Sequence, residues 1–573
     1  MFQYSISTTR IPYILIWLIF SCSYLLPQPL QAQAQAPGWA SARKIQSGTG
    51  KVVADHDAAG NRYELRTFSN TETLGTTILT SQGIADMALV KFAPDGTVLW
   101  VRQLGTAGNE QGYALAVDKS GTVYLAGLTA AQSGNGGPPR LALGNNLFVT
   151  NAYASWYPKL FVARYSSQGT AEWVQQNDPL DKDYPAISAL TLDAAGNMCV
   201  EGEYENNFTF AGASLPNPAY RYYRFTAGFQ ASSGAPRFLR HLLEAPQTGF
   251  LTTSFVQGLS TGGYYVAVPC FSSFTLQGTT VYRNNNKPFS VLLRYRSDGT
   301  VAWARPLQNN KEVVITAILT DAQDNVYAAG YATGLLPLST GIGTDTIRLG
   351  TTTSTRQALL LKYNPAGHLL WGRQLNTCVA TATSQHYALA QGANGTVYCT
   401  GQFSNIIAAN DDCVVSRGLN DVLVTSYTPT GQLRWARKAG GPGDDYGRYV
   451  FAMGADELIV IGSMGAECTF GTESVAAPAG TFAARLGSSF RASTDCPVEQ
   501  IAPFPTPTLD WLYLPELPLP ARVEILDVLG RRVSYSPQHQ TCRLWLGDLA
   551  AGSYTLRLTT AQGCYYTCRV LKL

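Results

Sequence analysis

The stretch Ala88-Leu-Val-Lys-Phe-Ala-Pro-Asp-Gly-Thr-Val-Leu-Trp-Val-Arg102 decides the architecture. An apolar run with one basic residue meets Pro94-Asp95-Gly96, and a second run carries Trp100 with Arg102 two residues on. Asp-Gly closes a tight hairpin because glycine takes positive φ without steric cost. The frame returns as Phe161-Val-Ala-Arg-Tyr165 with Trp173, Val291-Leu-Leu-Arg-Tyr295 with Trp303 and Arg305, Leu359-Leu-Leu-Lys-Tyr363 with Trp371 and Arg373, and Val422-Leu-Val-Thr-Ser426 with Trp435 and Arg437. Trp39 and Phe238 stand at the matching place of two weaker copies. Seven large aromatics therefore recur at intervals of 61 to 73 residues.

A second hairpin lies in each copy after a variable loop. Ala114-Leu-Ala-Val-Asp118 leads to Thr122-Val-Tyr-Leu-Ala-Gly127. Ala189-Leu-Thr-Leu-Asp193 leads to Asn197-Met-Cys-Val-Glu-Gly202, and Ala317-Ile-Leu-Thr-Asp321 to Asn325-Val-Tyr-Ala-Ala-Gly330. Two hairpins make four strands, which is one propeller blade, and continuous apolar runs suit strands buried on both faces. One such unit cannot bury its own faces, so stability must come from stacking. The expected fold is all-β: a seven-bladed β-propeller of four-stranded blades over 37–490. The Trp39 copy lacks its first strand, and Thr481-Phe-Ala-Ala-Arg-Leu486 supplies one with no Trp strand after it. Pairing of the two would complete a split closing blade and remove the free sheet edges.

Charged residues are 14% of the 573 and the formal net charge is +3, against about 25% charged in average soluble domains. With no Lys/Arg run, nucleic acid is not the expected partner. Residues 1–36 read as a signal peptide: Arg10, the apolar Ile11–Leu26 and the small-x-small site Ala32-Gln33-Ala34. No later stretch has the length of a transmembrane span, so no span is expected once the signal is removed. Of the 11 cysteines, Cys378 and Cys413 are one candidate disulfide pair, but spacing selects none.

The repeat units resemble the bacterial SBBP-type β-propeller repeat, best at Asp95-Gly96 to Trp100 with Ala116-Val-Asp118, and at Gly440-Gly-Pro-Gly-Asp-Asp-Tyr-Gly447. That resemblance implies the fold and no particular ligand. Residues 491–508 are a Pro-rich linker. Beyond it, Pro505-Thr506-Pro507, Asp527 with Gly530-Arg531-Arg532-Val533, Leu549-Ala-Ala-Gly-Ser-Tyr554 and Lys572-Leu573 resemble the type A sorting domain of the type IX secretion system, with Thr506 where Asn is usual. The resemblance implies a small Ig-like β-sandwich over 509–573, the type IX machinery as a partner, and a protein released at or attached to the outer cell surface.

No HExxH, Gly-x-Ser-x-Gly or EF-hand order is present. The acidic clusters Asp55-His56-Asp57, Asp178/Asp181/Asp183, Asp411-Asp412 and Asp444-Asp445 are the candidate Ca2+ sites, and solvated loop carboxylates are the plainer reading. Asp118, Asp193 and Asp321 recur before turns, as hairpin geometry asks. The aromatics Tyr153, Trp156 and Tyr157 in the longest insertion are the candidate contact residues for a glycan or protein ligand. The expected function is a secreted, non-enzymatic binding, adhesion or structural module without catalytic residues or a resident cofactor. The alternative is an extracellular polysaccharide hydrolase or lyase whose carboxylates meet in the propeller funnel.

Overall fold

In the computed structural model every regular element among the described residues is a strand. The structure describes residues 37–487 and 511–573, apart from 48–51, 131–139, 152–156, 217–221, 243–254, 271–273, 277–278, 282–286, 308–311, 335, 340–345, 350–354, 410–411, 455, 477, 514–521, 528–530, 534–538, 541–542 and 560–564. The signal-peptide and linker expectations lie outside these residues.

The fold is a β-propeller. Seven four-stranded antiparallel sheets form among the described residues. In the first, Val52–His56, Arg62–Phe68, Asp86–Phe92 and Val98–Leu104 pair in chain order. The later sheets begin at Asn109–Val117, Ala186–Leu192, Phe255–Gly258, Val313–Thr320, Thr383–Gln391 and Tyr446–Gly454. Each of these first strands lies against the first strand of the next sheet, and Tyr446–Gly454 lies back against Val52–His56. Tyr449 Oη donates to Val52 O at 3.0 Å across that last step. The middles of third strands, such as Leu359 to Leu361 within Arg356–Tyr363, are fully buried, which accounts for their unbroken apolar runs.

The seventh sheet is built from both ends of the repeat region. Gly38–Ser47 pairs antiparallel with Gly480–Gly487, with Trp39 opposite Leu486 and Ala42 opposite Ala484. The register corrects one sequence assignment. In six sheets the frame aromatic opposes one third-strand position: Trp100 faces Lys91, Trp173 Arg164, Phe238 Gly228, Trp303 Arg294, Trp371 Lys362 and Trp435 Ser426. In the seventh, Arg485 faces Ser41 instead of Trp39. All seven sheets share a register shift here, and Trp39, opposite Leu486, stands on its far side, at the place Val98 holds opposite Phe92 in the first sheet. The indole packs edge-on to Phe470 at 5.2 Å, and its Nε1 donates to Lys438 O at 2.7 Å. The clue lay in the Trp-to-Arg spacing, which is four here (Trp39, Arg43) and two in the regular copies.

The frame residues fasten most sheets to the next. Trp100 Nε1 donates to Ser167 O, and Arg102 Nε to Gly169 O at 2.8 Å. Trp303 and Arg305 repeat this on Pro365 O and Gly367 O, and Arg43 reaches Gly96 O. Where the seventh sheet has no hairpin turn to offer, Arg437 Nε takes Pro37 O at 3.0 Å. These charge-assisted bonds end on turn carbonyls that would otherwise face water.

Two local features were not read from the sequence. The second-to-third connection of each sheet holds a small extra hairpin, such as Phe208–Phe210 with Ala213–Leu215 and Cys468–Phe470 with Glu473–Val475. Their apolar residues cover the outer core: Phe208, Phe210 and Leu215 pack with Phe225. Beyond the propeller, the described residues of 511–573 form two three-stranded sheets around Leu512, Ile525, Leu544, Leu556 and Val570. Asp527 Oδ1 accepts Arg531 N at 2.9 Å and Oδ2 accepts Arg531 Nε at 2.8 Å, so the Asp and Arg of that motif bond each other directly.

Candidate functional site

The second feature is a β-bulge in the first strand of five sheets. Ladder pairing skips one residue: Tyr113, Ser188, Thr316, Tyr387 and Arg448. The residue before each bulge faces a second-strand glycine: Gly127, Gly202, Gly330, Gly401 or Gly462. A Cβ there would lie 2.0 Å from Val314 O at Gly330, 2.0 Å from Gln385 O at Gly401 and 1.9 Å from Tyr446 O at Gly462. Bulge and glycine are one device: the strand bends inward only because its partner has no side chain. Bulges re-aim side chains, and these five stand on the strands that face one another around the axis.

The richest group lies over sheets five to seven, at the end where the crossovers and extra hairpins emerge. The Tyr387 and Tyr446 rings meet edge-to-face at 6.4 Å. Tyr387 Oη donates to Gln402 Oε1 at 3.0 Å and accepts from Gln385 Nε2. Arg448 is exposed; its Nε donates to Ser463 Oγ at 3.0 Å, and its guanidinium sits 6.0 Å from the Tyr446 ring centre. Arg356 lies 4.6 Å over the Tyr331 ring and pairs with Glu312 at 3.3 Å. Burial pushes the Tyr387 and Tyr446 phenols upward, so both stay neutral. His386, beside Tyr387, is fully buried; burial pushes it down to about 4, and its ring nitrogens face Leu359 O and Thr425 Oγ1. It is a neutral packing histidine, out of reach of a ligand.

The same end carries exposed apolar side chains, Ile84, Leu180, Tyr184 and Leu419. The opposite end carries short turns. There an open groove of about 630 Å3 lies between sheets three and four, lined by Asn197, Gln230, Arg237, Thr261 and Ser297. It sits where Phe238 replaces the frame Trp and Gly262-Gly263 forms the turn at φ of 85° and 90°.

Of the expected contact residues, Tyr153 and Trp156 lie outside the described residues. Tyr157 is half-buried, with its ring 5.3 Å from Tyr184 and its carbonyl bonded by Asn151 Nδ2. The acidic runs do not assemble: among the described residues no group of three or more His, Cys, Asp or Glu is placed to hold a metal. Their oxygens accept backbone N–H groups. Asp183 Oδ1 takes those of Tyr184, Glu205 and Asn206, and Asp57 Oδ1 those of Ala59 and Asn61. Cys378 and Cys413 face each other with Sγ atoms 3.4 Å apart, longer than the ~2.05 Å of a covalent bridge.

Asp421 is the carboxylate with a testable titration. It is buried under Gly440, with Asp445 held nearby by Gly441 N–H; Asp421 Oδ2 accepts Arg417 N at 2.9 Å. Burial, with Asp445 adding to it, pushes it up to about 6. The native state then holds more protons than the unfolded chain between about pH 4 and 6, so this group's contribution is full below pH 4 and lost as pH rises through 6. Asp421→Asn is expected to remove that slope and to raise the melting temperature at pH 7 relative to pH 5. Melting curves at the two pH values check it; an unchanged slope contradicts it.

Residues 99–133 match the family model described as SBBP, beta-propeller repeat, and the chain carries that repeat. Among curated proteins it is similar to an uncharacterized WD repeat-containing protein of Acanthamoeba polyphaga mimivirus, 20% identical over 325 residues, 55% of this chain and 19% of that protein. It is also similar to the regulatory protein FlaEY of Caulobacter vibrioides, 28% identical over 185 residues, 32% of this chain and 18% of that protein. The chain thus spans about a fifth of the length of the curated relatives it matches. Among solved structures it is similar to quinohemoprotein alcohol dehydrogenase from Comamonas testosteroni, with 11% identity, 84% of this chain and 80% of that chain covered, and a TM-score of 0.36.

Proposed function

We propose that the chain is an exported, non-enzymatic seven-bladed propeller that binds a glycan or protein ligand at the end where its crossovers emerge. Its C-terminal sheets are an Ig-like sorting domain of the type IX secretion system, which delivers it to the outer cell surface. The reading is carried by the bulge positions. Tyr113, Ser188, Thr316, Tyr387 and Arg448 offer aromatic faces, hydroxyls and a guanidinium, the side chains of contact surfaces. A glycosidase asks for two carboxylates about 5 to 10 Å apart at a funnel, and none of these five positions carries one.

Incubation of the full chain with a panel of polysaccharides and surface proteins tests it. Retention without new reducing ends or unsaturated products is expected. Release of oligosaccharides would move the protein to the hydrolase or lyase class. Export is tested by fusing 491–573 to a reporter in a host with the secretion system: surface delivery is expected, and retention in the periplasm contradicts it.

A further inference from the structure

We infer that the side chains over sheets five to seven form a subsite for an uncharged pyranose within a polysaccharide. The inference rests on the binding function proposed above and assigns it a place and a ligand class. The site is joint property of three sheets, since Glu312, Tyr331 and Arg356 come from the fifth, Gln385, Tyr387 and Gln402 from the sixth, and Tyr446 and Arg448 from the seventh. A protein surface that only closed the ring would have no need of exposed arginines here, because the ring is already fastened at the opposite end by the Trp and Arg bonds to turn carbonyls.

Charge selects the ligand class. Two guanidinium groups are present, but Glu312 pairs with Arg356 at 3.3 Å, and Asp444, whose Oδ1 accepts Asn420 Nδ2, bears on Tyr446 as a like-signed neighbour of the phenolate form. Asp445 bears on Tyr446 in the same sense, so the carboxylates leave no net positive charge here and a polyanion gains little from approaching. What remains is hydrogen-bonding capacity in a few polar groups: the Arg448 guanidinium with one N–H spent on Ser463, the N–H side of the Gln402 amide, whose oxygen already accepts from Tyr387, and the neutral Tyr446 phenol. Vicinal hydroxyls of a pyranose match forked donors and acceptors, and the C–H face of the sugar packs on the electron-rich face of an aromatic ring such as Tyr446. The bulges hold Tyr387 and Arg448 on strands, which keeps the geometry fixed before binding and lowers the entropy to be lost.

Affinity gel electrophoresis of the full chain with dextran, laminarin, xyloglucan, galactomannan and polygalacturonate tests it. Retardation by at least one of the four neutral polymers is expected. Arg448→Ala and Tyr446→Ala are each expected to weaken it at least tenfold with an unchanged β-sheet circular dichroism spectrum, and Arg237→Ala, in the groove at the opposite end, to leave it unchanged. Should Tyr446→Ala fail to fold, Tyr446→Phe with Arg448→Ala carries the test. Retardation by polygalacturonate alone overturns the ligand class, and equal binding by wild type and Arg448→Ala overturns the place. A protein ligand lost in Arg448→Ala, with no polysaccharide bound, overturns the pyranose assignment but leaves the binding function standing. Loss in Arg237→Ala alone overturns both.

Discussion

Gly330→Ala is expected to cost roughly 3 to 5 kcal/mol, placing it among the most damaging single substitutions. The added methyl would lie 2.0 Å from Val314 O and 2.9 Å from Ile315 Cα. Both are backbone atoms of the first strand, so no rotamer change relieves the clash. The strand must move outward, which flattens the bulge at Thr316 and pulls Thr316 Oγ1 from His386 O in the next sheet. Gly401→Ala, at 2.0 Å from Gln385 O, is expected to behave alike and to displace Tyr387. Gly454→Ala is the control: its Cβ meets only Glu457 at 3.4 Å, and its effect should stay within about 1 kcal/mol. Denaturant titrations compare them, and equal midpoints for Gly330→Ala and Gly454→Ala would contradict the bulge-and-glycine device.

The second large effect belongs to Trp39→Ala. Trp39 is 4% exposed, although it lies only two residues after the start of the described chain. It joins the Phe470 and Phe482 cluster and bonds Lys438 O. Truncation removes a full indole from a packed site, at roughly 3 to 5 kcal/mol. Trp371, half-exposed with its Nε1 on Pro429 O, should cost clearly less when truncated. The two also differ in kind. Loosening Gly38–Ser47 bares the edge of Gly480–Gly487, an open invitation to intermolecular pairing. Trp39→Ala should therefore show concentration-dependent aggregation on size-exclusion chromatography, with Trp371→Ala remaining monodisperse. Identical melting and elution of the two variants would contradict the role given to Trp39.

The strand frame was legible because burial on both faces enforces repeated apolar runs, and turns enforce Asp-Gly and Asn at fixed offsets. Trp39 misled because an aromatic near an Arg satisfies that frame by eye, whereas only the strand register shows that Ser41 holds the position. The extra hairpins escaped notice because strands of three or four residues, such as Phe208–Phe210, carry too little periodicity to stand out from a loop. The site was the least legible part. Bulged residues answer to no ladder partner, so their types vary from Tyr to Ser to Arg and leave no period. The signal that did exist was the glycine closing each second strand at Gly127, Gly202 and Gly330. An isolated strand glycine marks a close backbone approach; following these three across the sheet leads to Tyr113, Ser188 and Thr316, and the equivalent Gly401 and Gly462 lead to Tyr387 and Arg448.

Cross-linking across the closing sheet tests the central claim most directly. Ser41 and Arg485 are exposed and directly opposed. In the doubly substituted Ser41→Cys, Arg485→Cys chain, mild oxidation should join the two new thiols, and peptide mass spectrometry should recover residues 41 and 485 in one linked species at high yield. Recovery of both peptides unlinked from folded protein, or linked only between molecules, would mean that the two ends do not share a sheet and that the ring is not closed in this way.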